Sequence, residues 1–256
     1  MLKFCSLFSS SSANCLLVYD ETTKILIDCG SSLKRTSAAL LSIGIDVGDI
    51  NAILVTHEHT DHTSGIVTTS NKHSIPVYAN SPTFNAITGN EKIKNIKIIS
   101  TDEFDIGTLH ITPFKIPHDA ACPFGYVIKS GSSQLTIATD LGYVDRAILK
   151  FFTGSDFAFV ESNHDIQMLL NGPYTYPLKR RILSDFGHLS NKACSDLVCH
   201  LASCGVKKFM LGHLSESNNT PSLALSTTVD SLKFNNIAVS SISVAPKEEI
   251  SEIITI

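Results

Sequence analysis

Six consecutive residues, His57-Glu58-His59-Thr60-Asp61-His62, constrain this chain more than any other feature. They follow the apolar run Ala52-Ile53-Leu54-Val55, whose pattern is that of a buried strand. Imidazole and carboxylate groups are the ligands that divalent transition metals take. In an extended segment His57 and His59 point to one side, because side chains alternate with period two. A turn after His59 brings Asp61 and His62 back over the same spot. So short a stretch cannot comfortably place all four groups on one ion. The spacing therefore points to two adjacent divalent ions, His57 and His59 on one, Asp61 and His62 on the other. Histidine and carboxylate ligands suit zinc, manganese or iron.

The chain has 256 residues, 43% of them hydrophobic, enough for one large core or two tightly fused half-domains. Its seven cysteines are an odd number without a C-x-x-C pair, and Cys194, Cys199 and Cys204 are spaced to spread around a helix. Reduced, mostly packed thiols in a cytoplasmic protein are expected. A net charge of −4 gives no broad basic footprint, so any nucleic-acid contact must rest on local basic clusters and on the metals. The serine run follows Met1–Cys5 too soon for a signal peptide, and no apolar stretch approaches the ~20 residues of a membrane span. Nothing in the sequence marks a stable protein partner.

Short apolar runs predict strands at 2–7, 15–19 and 24–28, with the serines 9–12 as a polar turn between the first two. A helix over 32–42 stops at Gly44, then comes the strand 52–55, the His/Asp loop, a strand at 76–78 and a helix from about Ser81. Strands follow at 96–99, 103–106, 109–116, 125–129 and 134–138, the last two joined by a Ser130–Ser133 hairpin turn. A helix near 144–152, a buried strand 156–160 and a helix from Ser190 to Gly205 come next. The strand 206–211, a helix from Thr220-Pro221 to about Leu232 and strands at 237–244 and 250–256 complete the order. No internal repeat or linker interrupts it. The order suits two sheets packed face to face with helices outside. His57, Asp140, Glu161 and His213 all follow apolar strand runs, so strands ending at one edge would bring them together.

Other residues extend the chemistry. His118, between Pro117 and Asp119, is a ligand if the metal cluster needs more donors. Asp140 either bridges two cations or caps the helix that follows it. His213 in Gly212-His213-Leu214-Ser215 and His188 in Gly187-His188-Leu189-Ser190 are near-duplicates, and local sequence does not decide which is the ligand. Glu161 is either a surface acid or the orienting partner of a proton-donating histidine. Lys179-Arg180-Arg181 reads as a solvated face or, lying just before His188, as a contact to a phosphate backbone. His73 and His110 carry no such context, and His200 reads as a structural helix residue.

The pattern His57-x-His59-x-Asp61-His62, with His118, Asp140 and His213 in that order, resembles the metallo-β-lactamase superfamily across essentially the whole chain, 1–256, as one domain. More narrowly it resembles the WalJ/YycJ branch. That likeness is carried by Ser6-Leu7-x-Ser9-Ser10-Ser11-Ser12-Ala13-Asn14-Cys15, Pro117-His118-Asp119-Ala120, Thr139-Asp140-Leu141-Gly142-Tyr143 and Glu161-Ser162-Asn163-His164-Asp165. It is carried further by Leu178-Lys179-Arg180-Arg181-Ile182, Gly187-His188-Leu189-Ser190-Asn191 and His213-Leu214-Ser215-x-x-Asn218-Asn219. The resemblance implies an α/β, four-layer αββα sandwich with a binuclear site at one edge. It implies His57, His59 and His118 on one metal, Asp61, His62 and His213 on the other, and Asp140 bridging both. It pairs Glu161 with His188 for proton donation, gives Asp61 a part in orienting water, and implies a phosphodiester-cleaving hydrolase, a DNA exonuclease. A cyclic phosphodiester, thioester or lactam hydrolase is the alternative on the same metals, and a metal-storage module the non-enzymatic one. Lys179, Arg180, Arg181, Asn218 and Asn219 are the residues expected on the substrate. The branch has glycines where this chain has Ser10 and Ala13, each of which adds a side chain beneath the site.

Overall fold

In a computed structural model describing residues 1–256, the chain lays down one sheet and then the other. The first holds β1 (Lys3–Ser10), β2 (Ala13–Tyr19), β3 (Lys24–Ile27), β4 (Ala52–Leu54), β5 (Val77–Asn80) and β6 (Ile96–Ile99) in sequential order. The second holds β7 (Phe104–Ile106), β8 (Leu109–Lys115), β9 (Phe124–Ser130), β10 (Ser133–Ala138), β11 (Phe157–Glu161), β12 (Lys208–Gly212) and β13 (Ser241–Val244). A final short strand, β14 (Ile254–Thr255), returns to pair antiparallel with β1. Hairpins make β1–β3 and β7–β10 antiparallel, whereas crossovers make β3–β6 and β10–β13 parallel.

Period-two alternation decides which face each residue serves. Phe4, Val18, Ile25, Ala52 and Leu54 face the core between the sheets with Tyr126, Phe157 and Phe159. Their neighbours Cys5, Leu17, Leu26, Ile53 and Val55 face the opposite way, toward Leu40 of the helix Leu33–Ser42. On the far side Ala158 and Val160 pack under the helix Asn191–Ser203 with Cys194, Leu197 and Val198. Strands buried on both faces carry apolar residues at every position, and the four layers are helix, sheet, sheet, helix. Phe4 meets Phe157 and Phe159 across the sheets at centroid distances of 4.9 and 5.2 Å. At one edge Asp20 ties the sheets together: it accepts from the backbone N–H groups of Thr22 and Thr23 and from the hydroxyls of Thr108 and Ser130.

Several elements differ from the sequence reading. The helices Ile66–His73, Ile166–Asn171 and Tyr176–Ile182 were not expected. The first is poor in helix formers and is held by burial of Ile66, Thr69 and Ser70, and the other two open at an Asp165 cap and at Pro177. The penultimate strand is confined to Ser241–Val244, because Ile237 N–H folds back onto Leu232 O and Asn236 turns at φ 55°. The last strand shrinks to two residues because Ser251 hydrogen-bonds Ser6 outside the ladder. All seven cysteines are free thiols. No helix is long and apolar enough to cross a membrane.

Candidate metal centre

The parallel strands end at one edge, and the polar residues following β4, β10, β11 and β12 meet there, as ligand sites in parallel sheets do. Past β4 the chain runs extended through His57 and His59, then makes a one-turn helix, Thr60–Thr63, that folds Asp61 and His62 back. His57, His59 and His118 have donor atoms within 4.8 Å of one another, and so have Asp61, His62 and His213. Asp140 lies between these groups, clustering with His57 and His62 on one side and with Glu161, His188 and His213 on the other. The structure thus brings together all seven residues expected to hold metals. It also separates the two similar histidines. His213 is almost fully buried and joins the Asp61–His62 group, whereas His188 is half-buried at the cavity wall and reaches Glu161.

Three of the buried imidazoles are oriented by a hydrogen bond on the far nitrogen. Nδ1 of His62 donates to Asp28 at 2.7 Å, Nδ1 of His118 to the carbonyl of Gly187 at 3.2 Å, and Nδ1 of His213 to Glu161 at 2.8 Å. Carboxylate or carbonyl partners of this kind set the tautomer that leaves Nε2 free to ligate. Nε2 of His118, Nε2 of His213 and Oδ2 of Asp140 are buried without a hydrogen-bond partner. Buried polar atoms left unpaired cost about 1–3 kcal/mol each, and here they converge. A cluster of nitrogen and oxygen donors in this arrangement fits divalent cations.

Four carboxyls, Asp28, Asp61, Asp140 and Glu161, set the electrostatics. Burial would lower the pKa of His62 and of His213, but Asp140 and its companions outweigh it and raise both, His213 to about 10. Burial would raise Asp61, but the neighbouring imidazoles of His213 and His62 hold it well below the usual carboxylate range. At His57 burial, then the charges of His62, His118 and His59, outweigh Asp61 and hold its pKa well below the usual imidazole range. The centre therefore attracts positive charge strongly, whether as protons or as cations.

Glu161 is fully buried at the end of β11 and does more than hold His188. One oxygen accepts from both His188 Nδ1, at 2.7 Å, and His213 Nδ1; the other accepts the N–H groups of Leu141 and Leu189. Ser9 supports the same corner by accepting the N–H of His213 at 2.8 Å.

Sequence reasoning missed Asp28 and Asn14, whose amide reaches Asp61 and His62, each at 3.1 Å. Asp28 carried a usable signal, since it follows β3 as Asp140 follows β10. Asp28, Asp140 and His213 share a left-handed backbone, with φ of 63°, 59° and 55°. Strain of this sort, worth about 1–3 kcal/mol per residue, persists where function holds it. Gly30 permits a close approach: a Cβ there would lie 1.6 Å from the carbonyl oxygen of Asp61.

The residues expected on substrate divide. Arg181 lines the cavity and is held by a two-point pair with Asp119. Lys179 donates to the carbonyl of Leu170, and Arg180 lies over the ring of Tyr176. Asn218 and Asn219 are buried, which departs from the expectation. Asn219 donates to Ser162, Asn163 and Asn191, Asn218 donates to Ser215 with its Oδ1 left without a partner, and both brace the loop carrying His213. Ser10 and Ala13 form the last pair of the β1–β2 ladder, and the Ser10 hydroxyl accepts the N–H of Ser12 and of Ala13, so its added atoms close the turn. His200 lies exposed on its helix, at 3.7 Å from the thiol of Cys204. The cavity, about 430 Å³, has no apolar residue in its lining.

The sequence model of the β-lactamase superfamily domain matches residues 23–214. The chain is 37% identical over 227 residues to exodeoxyribonuclease YycJ of Bacillus anthracis, covering 87% of this chain and 86% of that protein. It is 33% identical over 243 residues to exodeoxyribonuclease WalJ of Streptococcus pneumoniae, covering 93% and 90%. Among solved structures, the metallo-β-lactamase fold protein YhfI of Bacillus subtilis superposes with a TM-score of 0.73 at 15% identity, over 98% of this chain and all of that one.

Proposed function

The chain belongs to the metallo-β-lactamase superfamily, in the branch that includes YycJ and WalJ, and from that premise we propose that it is a metal-dependent exodeoxyribonuclease with two divalent ions, zinc or manganese with iron as a further option. The observation that carries this reading is the convergence of two three-residue donor groups on Asp140, beside a Glu161–His188 pair. His57, His59 and His118 would hold one ion, Asp61, His62 and His213 the other, and Asp140 both. Divalent cations there supply Lewis acidity, which acidifies water and neutralises charge on a phosphate.

The protein's own groups do the rest. Asp61 accepts hydrogen bonds at the cavity wall, where it orients the attacking water. His188, its Nδ1 fixed on Glu161, presents Nε2 as the proton donor to the leaving oxygen. Burial opposes its protonation, but Glu161 prevails and raises its pKa, so a proton is available. Arg181, fixed by Asp119, offers a guanidinium to a phosphate.

Elemental analysis of protein purified without chelator should approach two metal equivalents per chain. The same preparation should degrade DNA from its ends, and Asp61→Ala should lower that activity by several powers of ten with the fold retained. A fixed stoichiometry of one, unchanged by added metal, would overturn the bridging role of Asp140. Near-normal nuclease activity in Asp61→Ala would overturn the catalytic assignment.

A further inference from the structure

We propose that Phe186 and Tyr143 form a stacking step for the nucleobase beside the scissile phosphate, so that the strand being cut enters the site unpaired. The inference rests on the phosphodiesterase reading and names the form of its substrate. Both rings are exposed, Phe186 by 57% and Tyr143 by 43%. They sit on loops in direct backbone contact: a Cβ on Gly142 would lie 1.9 Å from the carbonyl oxygen of Asp185 and 2.7 Å from the nitrogen of Phe186.

Both loops are laced to the loop that carries His118. The N–H of Gly142 donates to Pro117, the N–H of Asp119 donates to Phe186, and Nδ1 of His118 donates to Gly187. Tyr143 thus stands three residues beyond Asp140 and Phe186 two before His188. Arg181 lines the cavity, anchored to Asp119, whose N–H donates to the carbonyl of Phe186. Exposed aromatics on loops tied by backbone bonds to the partner of an anchored guanidinium suit a nucleotide, with the base on the ring and the phosphate on the cation. Stacking of this kind is indifferent to sequence because every base has a π-face. Inside a duplex both faces of a base are already stacked and the terminal pair leaves only one free, so a frayed or single-stranded end uses the step best. The chain's net charge of −4 makes such a contact valuable, since long-range attraction cannot supply the affinity.

The test uses the full chain loaded with manganese and a single-stranded oligonucleotide with 2-aminopurine at its end and phosphorothioate linkages that resist cleavage. Binding to the unaltered protein should quench the fluorophore. Phe186→Ala should abolish the quenching and weaken binding roughly 5- to 100-fold, without changing the slope of affinity against salt. Phe186→Trp should restore both. Arg181→Ala should instead flatten the salt slope by about 0.7, the value for one phosphate on a single strand. With an abasic end, Phe186→Ala should cost nothing further. Tyr143→Ala gives an independent second reading, with melting curves checking the fold of each variant.

Equal losses on base-bearing and abasic ends, or unchanged quenching in both variants, would overturn the proposal. So would a changed oligomeric state in sedimentation with DNA affinity intact, because the rings would then be a contact between protein chains. Failure of the functional reading looks different: the unaltered, metal-loaded protein would hydrolyse neither an unmodified oligonucleotide nor bis(p-nitrophenyl) phosphate.

Discussion

Oδ2 of Asp28 lies 2.7 Å from Nδ1 of His62, so a carboxylate outside the expected ligand set fixes the tautomer of a residue within it. Asp28 is fixed in turn, because Thr56 donates to it through both its N–H and its hydroxyl, each at 2.8 Å. Asp28→Asn preserves the shape but removes the charge and misaims an amide. Outer partners of this kind are worth 10- to 100-fold in metal affinity. Competition against a chromogenic chelator should show zinc binding weakened by about that factor, with the melting temperature of the metal-free protein little changed. Unaltered affinity would mean that His62 is not a ligand.

The sharing of Glu161 by two histidines yields a contrast between them. His213→Ala should lose metal. His188→Ala should keep the metal content and slow turnover by roughly 10²–10⁴-fold, the usual worth of a positioned acid. A substrate with a good leaving group needs little protonation, so it should rescue His188→Ala and not His213→Ala. If metal content falls in His188→Ala and holds in His213→Ala, the roles are exchanged.

Gly30→Ala drives a methyl group into the carbonyl of Asp61. The helix Thr60–Thr63 must then shift as a unit, taking Asp61 and His62 with it. Overpacking of this sort costs roughly 1–3 kcal/mol. Denaturant titration should show that loss, and metal analysis should show the second group depleted. A Gly30→Ala protein with wild-type stability and full metal content would contradict the close packing.

His164 supplies a pH dependence away from the ligands. It is buried with neither ring nitrogen hydrogen-bonded, and burial lowers its pKa to about 4. The unfolded chain takes up a proton below about pH 6.5, while the folded protein resists down to about 4. Its contribution to stability is therefore complete above about pH 6.5 and is lost as the pH falls toward 4, a difference of roughly 3 kcal/mol. Unfolding at pH 7.5 and pH 5 should show this slope reduced in His164→Leu. An identical slope would place the acid sensitivity elsewhere.

Legibility from sequence followed the physics of each feature. The strands 52–55 and 156–160 could be read because burial on both faces writes continuous apolar runs, and Ser190 and Thr220 could be read as caps. The helix Ile66–His73 could not, since its residues favour strands and only packing holds it helical. The candidate histidine ligands stood out because His57–His62 packs three imidazoles and two carboxylates into six positions. Asp28 and Asn14 stayed hidden because they act through His62 and Asp61 from distant positions. Asn218 and Asn219 were hard to read for the opposite reason: amides near a site suggest contact, and here both are buried, with that of Asn219 bonded to the backbone of Ser162 and Asn163. The role of Ser10 depended on a hydroxyl-to-backbone contact that no spacing reveals.

Asp20, with its bonds to Thr108 and Ser130, sits at the end of β2 away from the His/Asp cluster. The donors of that cluster come from both sheets: His57 through His62 follow β4, while His118, Asp140 and His213 belong to the second. The sandwich is thus fastened like a book, with Asp20 at the spine and the metals as a clasp on the open side. Removing the clasp leaves the spine intact, so the covers part at the mouth by rotation and do not slide past one another. Chelation should then loosen the protein in a gradient, greatest at the loops after β4 and β12 and smallest toward Thr22 and Ser130.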